Sequence, residues 1–244
     1  MTSRSTTRTT GAWLAAGIGL AAGAYTAWVG LTWARYGTAV YHDDGEDPLL
    51  DTFMPVYEVV ERHQIHVAAP AAITLAAARE IDLLHSPVVR AIVEARELIL
   101  GATGDDRVRP RGLVAELQSL GWGILAEVPE REIVVGAVTQ PWEANVTFRA
   151  LPPAEFTTFS EPGYVKIAWT LRADPAADDT SVFRTETRAL ATSPDARARF
   201  RTYWSFVSPG IALIRVVATR LVKREAEQRA EGRRTAPQAA GEVA

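Results

Sequence analysis

The 244-residue sequence has no cysteine, which excludes disulfide frameworks, thiolate zinc sites, iron–sulfur clusters and cysteine nucleophiles. The same absence leaves the compartment open, since reducing and oxidising surroundings both tolerate a chain without thiols. Histidine is scarce: His42, His63, His66 and His85 are the four present, and none sits in an HExxH-like spacing, so no metal site is expected. No excess of one charge exists either. Lys plus Arg number 26 against 29 Asp plus Glu, a net charge of −3, so there is no global basic field for nucleic acid. No serine lies in a G-x-S-x-G setting, and GATGDD at 101–106 lacks the lysine of a phosphate loop. Nothing implies a cofactor. What remains, 48% apolar and 23% charged residues, is the composition of a globular domain able to bury its own core.

The one long apolar run is N-terminal. No charge falls between Arg8 and Arg35, and the 23 residues from Gly11 to Trp33 are almost wholly apolar. As a helix they reach about 34 Å, enough to cross a hydrocarbon core of about 30 Å. Trp13 stands near one end and Trp28, Trp33 and Tyr36 near the other, as an interfacial aromatic belt requires. The expected organisation is therefore a tail (1–10), a transmembrane helix (11–34), a linker (35–54), a folded domain (55–229) and a disordered tail (230–244). A cleaved signal peptide ending at Ala22-Gly23-Ala24 is the competing reading, but the apolar run continues well past that point. Arg4, Arg8 and the free amine precede the span, and an acidic run from Asp43 to Asp47 follows it. The N-terminus is thus expected in the cytoplasm and the domain outside. Ala15, Gly19, Gly23 and Ala27 recur every four residues, a stripe that suits a homodimer through the span.

The folded part begins with a strand over 56–68, placing Tyr57, Val59, Ile65 and Val67 on one face. Helices follow over 71–81 and from Ser86 or Pro87 to a stop at Gly101, with a short third one over 112–120. From Trp122 the period becomes two. Strands are expected over 122–128, 131–139, 142–148, 165–171 and 181–192, the last two joined by the Asp- and Pro-containing turn at 173–180. Such a succession makes an antiparallel sheet with one polar face. Ser193-Pro194-Asp195 then starts a long amphipathic helix. Phe200, Tyr203, Trp204, Val207, Ile211, Ile214, Ala218 and Leu221 form its apolar stripe, and Arg197, Arg201, Arg215 and Lys223 lie on or near the other side. Pro209 is expected to kink or break it.

A curved sheet covered by one long terminal helix leaves an apolar gap, the usual form of a small-molecule site. The order of elements and the segments ERHQIHVAAPAAIT, EREIVVGAVTQPW, SVFRTETRALATSPDARARFRTYW and PGIALIR resemble the START/polyketide-cyclase superfamily (SRPBCC), over about Met54 to Arg229. That resemblance implies an α+β helix-grip fold, with about six antiparallel strands wrapped around the C-terminal helix. It also implies a deep cavity for lipids, sterols, polyketides or other hydrophobic ligands. The superfamily has no universal catalytic set, and an N-terminal span is not general in it.

The residues placed to meet a ligand are His63, Ile65, Trp122, Trp142, Phe148, Trp169, Thr185, Thr187, Trp204, Val207 and Ile211. His63 shares a strand face with Ile65 and Val67, and its near-neutral pKa suits a polar anchor or general base; the plainer reading is a hydrogen-bonded strand histidine. Glu61 shares that face and is the other acid–base candidate, although a strand end would leave it in water. His66 points the other way, so it cannot join His63 on a metal. Arg184, Glu186 and Arg188 read as an exposed charge ladder. Three functions are open: membrane-tethered binding or transfer of a hydrophobic small molecule, a cyclase, aromatase or dehydratase, and a non-catalytic interaction module.

Overall fold

Strands β3 (Val59–Val67), β4 (Gly123–Val128), β5 (Glu132–Thr139), β7 (Val165–Pro175) and β8 (Ser181–Ala191) form an antiparallel sheet ordered β3-β8-β7-β5-β4. The two-residue β6 (Phe148–Arg149) pairs with the end of β5. A separate ribbon joins β1 (Val40–Tyr41) to β2 (Val56–Tyr57). The structure, a computed structural model, describes residues 4–36, 40–41, 47–102, 109–177 and 179–235, and in the first helix the side chains of residue 17 and of 19 onward. His42, the acidic residues 43–46, the Trp13 side chain and the GATGDD loop from residue 103 lie outside the described residues.

The helices are α1 (Arg4–Arg35), α2 (Pro48–Phe53), α3 (Ala71–Glu80), α4 (Pro87–Leu100), α5 (Leu113–Ser119), α6 (Pro153–Thr158) and α7 (Pro194–Thr235). Gly101, left-handed at φ 69°, stops α4 where the sequence placed the stop. Ser193 Oγ accepts the Ala196 N–H at 3.3 Å, capping the start of α7. One face of the sheet, with Val67, Ile133, Val135, Leu171 and Phe183, packs against α3, α5 and the C-terminal half of α7 through Ile73, Leu113, Leu117, Val222 and Ala226. Val59, Val165 and Ala189 meet Phe200 and Trp204 of α7 in a smaller cluster. The architecture is α+β, a six-stranded antiparallel sheet gripped by a long C-terminal helix.

Several expectations are corrected. The alternation over 142–148 does not make a full strand. On its β6 side β5 is paired with β4 as far as Gly136, leaving only Val138 and Thr139 for β6. Residues 48–53, read as linker, form α2, capped by the Asp47 carboxylate on the Leu50 N–H at 3.0 Å. Its Leu50 is fully buried, as is Phe156 of α6, beneath the face expected to be polar and open. Arg188 is therefore no part of an exposed ladder: it is 0% exposed. It pairs with Glu186 and Asp51, each at 2.6 Å, and lies 4.6 Å from the Tyr57 ring centre. Helix α7 runs unbroken through Pro209 and past residue 229 to Thr235. Among the described residues the helix long and apolar enough to cross a membrane is α7 rather than α1, a composition that the core helix of a soluble protein shares.

Candidate functional site

Cross-strand register sets the site. On the α7 side of the sheet Glu61 of β3 faces Thr187 of β8, which faces Trp169 of β7; in the next row His63 faces Thr185, which faces Leu171. Trp169 Nε1 donates to Thr185 Oγ1 at 2.5 Å. Arg215 reaches down from α7: its Nη2 donates to Thr187 Oγ1, and its guanidinium lies over the Trp169 ring, 5.4 Å from the centre. Arg215 is 9% exposed, and its Nε and Nη1, like Nδ1 of His63, have no hydrogen-bond partner.

The last turns of α1 supply the facing wall. Trp28 Nε1 donates to Ser208 Oγ at 3.1 Å, Tyr25 O–H to the Phe206 carbonyl at 2.9 Å, and Tyr36 O–H to Glu61 Oε1 at 3.4 Å. Arg201 donates to the Trp33 carbonyl at 2.5 Å and stacks on that indole. Between α1, the edge strand β3 and α7 lies a cleft of about 570 Å³, lined by Trp28, Thr32, Tyr36, Glu61, His63 and Ser208 among others. Burial raises the Glu61 carboxyl above its ordinary range, against the pull of Arg215 and the Tyr36 hydroxyl. Burial, helped by the Arg215 charge, lowers His63 and favours its neutral ring. A neutral imidazole and a reluctant carboxylate flank a cation that burial brings down to about 10, still charged at neutral pH.

The residues singled out from sequence divide. His63 lines the cleft, and Thr185, Thr187 and Trp169 form the rows beside it. Trp204, Val207 and Ile211 close an apolar cluster with Phe200, and Trp142 packs on it from a turn. Trp122 and Phe148 stack at 5.2 Å in the large core, which Ile65 also joins. Those residues belong to packed clusters, and the described cleft lies instead at the edge of the sheet. Glu61, expected in water, is half-buried. Arg215, placed with the solvated arginines, is buried, and sequence reading missed it. The missed signal was spacing: Trp204, Ser208, Arg215, Thr219 and Val222 are all buried at intervals that keep one helix face. Among the described residues no group of three or more His, Asp or Glu is placed to hold a metal ion.

A second cleft of about 360 Å³ opens on the opposite face beside Asp47, Arg62, Arg172, Arg184 and Glu186. Its charges are occupied with one another: Arg62 with Glu186 at 2.8 Å, Arg172 and Arg184 with Asp174 at 2.8 and 3.3 Å.

Fold and cleft together define an α+β helix-grip protein with a titratable cleft at its sheet edge. No family model matches the chain, and no curated protein matches it in sequence. The chain is distantly similar to several solved structures. Norcoclaurine synthase of Thalictrum flavum, a point mutant with a transition-state analogue, is 14% identical with a TM-score of 0.35 over 70% of this chain and 95% of that one. The Zhui aromatase/cyclase of Streptomyces sp. R1128 is 19% identical, TM-score 0.23, over 76% and 99%. The di-domain aromatase/cyclase BexL of the BE-7585A biosynthetic pathway is 14% identical, TM-score 0.26, over 69% and 46%. Likeness of this degree concerns the chain path and assigns no residue a role.

Proposed function

We propose that the chain binds or transfers a hydrophobic or amphipathic small molecule in the α1–β3–α7 cleft, held against a membrane. The observation that carries this reading is the reversed polarity of α7. In its middle, Ser205, Ser208, Arg215 and Thr219 are buried while Phe206 and Leu213 are 55% and 47% exposed. A helix that turns polar side chains inward and apolar ones outward serves a polar-lined site on one side and an apolar medium on the other. Leu20, Leu31 and Trp33 of α1 are likewise exposed, at 77%, 72% and 50%. In this reading the last turns of α1 wall the cleft, and the exposed apolar side chains of α1 and α7 face the membrane. An apolar ligand gains from that placement, since each methylene exposed in transit through water costs about 0.8 kcal/mol. His63, Thr185, Thr187 and Trp169 are the proposed ligand contacts.

Lipid extraction and mass spectrometry of the detergent-purified full chain test the reading. One amphiphile per chain is expected, lost in Ala212→Trp, which fills the cleft. Repeated empty preparations, or equal content in the filled variant, would overturn it.

A second reading, a cyclase- or dehydratase-type enzyme, is favoured by the raised Glu61 carboxyl and lowered His63 ring in one cleft. Glu61→Gln and His63→Ala should then each abolish turnover of a bound polyketide-like substrate while leaving its binding intact. Normal turnover in both sinks this reading.

A further inference from the structure

Behind the cleft wall lies a buried charge, Arg215, which is not itself a lining residue but acts through space on Glu61 and His63, which are. Arg215 carries a charge behind an apolar helix, and three kinds of neighbour surround it. Thr187 takes one N–H of Nη2, and the Trp169 face lies beneath the guanidinium. Glu61 acts on it through space, and among the described residues no ion pair joins the two; Tyr36 holds the Glu61 carboxylate instead. Among the described residues the N–H groups of Nε and Nη1 have no hydrogen-bond partner. Leaving a buried charged donor unmet costs more than the 1–3 kcal/mol of a neutral one, so a fold that keeps such a group is completed by something that accepts. His63 Nδ1, two residues from Glu61 on the same face, is a second orphan.

We propose that the cleft selects amphiphiles ending in a monoanionic carboxylate, seated with its oxygens on Nε and Nη1 of Arg215 and its chain running out between α1 and α7. This rests on the binding reading above and adds the head-group class to it. A carboxylate supplies several lone pairs to the unmet N–H groups and neutralises a buried cation for which no ion pair is found among the described residues. With Arg215 satisfied from outside, Thr187 and Trp169 also position the guanidinium. Deprotonated Glu61 competes for the same cation, so acid binding should weaken as pH rises through the titration of Glu61. Tyr36, Arg35 and His63 are the other titratable or charged groups that face it.

The test compares oleate with oleyl alcohol, equal in chain and different in head, on the detergent-purified full chain by displacement of a fluorescent fatty-acid probe. Oleate should bind at least tenfold tighter. Arg215→Met, which keeps the stem, should bring the two to equal affinity without loss of alcohol binding. The wild-type comparison needs no variant. If acid and alcohol bind the wild type equally, the head-group proposal fails while the cleft reading stands. If neither binds, both fail.

Discussion

The guanidinium of Arg215 lies over the indole of Trp169, 5.4 Å from the ring centre, with a hydrogen bond to Thr187 and no ion pair among the described residues. Burial draws its pKa down to about 10, so both folded and unfolded chains are charged at any pH below that. The shift corresponds to about 3 kcal/mol of destabilisation, constant across the neutral range and relieved only above pH 10. Arg215→Met should therefore raise the melting temperature, by a similar amount at pH 6 and pH 9, while removing the preference for a carboxylate. A variant that melts lower would mean that the buried charge is already satisfied within the protein.

On the opposite face, burial and the neighbouring Asp47 push Glu132 up to about 7. An acid raised on folding stabilises fully below its unfolded pKa and loses that contribution as pH climbs to the folded value. Stability should thus fall between about pH 4.5 and 7, by about 3 kcal/mol at most. In Glu132→Gln that loss should disappear, leaving the variant the more stable protein above pH 7. Denaturant titrations at pH 5 and pH 8 read the difference directly.

Arg188 bridges Glu186 and Asp51 while fully buried. Its truncation to alanine takes the cation from Asp51 and leaves Glu186 with Arg62 alone, and the expected loss is about 3–5 kcal/mol. Arg184, on the same strand face at 45% side-chain exposure, should lose less than about 1 kcal/mol in the same substitution. Equal losses at the two positions would show that the network under α2 contributes nothing special.

Gly121 sits at φ 100°, and a Cβ there would stand 2.2 Å from the Phe148 carbonyl oxygen. Gly121→Ala should cost more than about 1 kcal/mol and disturb the Trp122–Phe148 stack, visible as a change in tryptophan emission.

Elements that depend on local rules were legible in the sequence: the Gly101 stop, the hairpin from β7 to β8, the capped start of α7. What it concealed depends on partners. The alternation from Trp142 to Phe148 is real, but β5 had only two residues free to pair with it. Residues 48–53 show no period because so short a helix needs only Leu50 and a cap to be held. Arg215 was hidden by chemistry rather than spacing: polarity assigned it to solvent, while its position on α7 assigned it to the sheet. The shared face of Glu61 and His63 was legible because a strand period of two is insensitive to what packs above, yet Tyr36 reaches Glu61 only through the docking of α1.

That docking has a mechanical consequence. Trp28, Thr32 and Tyr36 belong to one helix, so any tilt of α1 swings one wall of the cleft relative to the β3 edge. In the proposed binding role the aperture is geared to the inclination of α1, and whatever sets that inclination also meters the exchange of guest molecules.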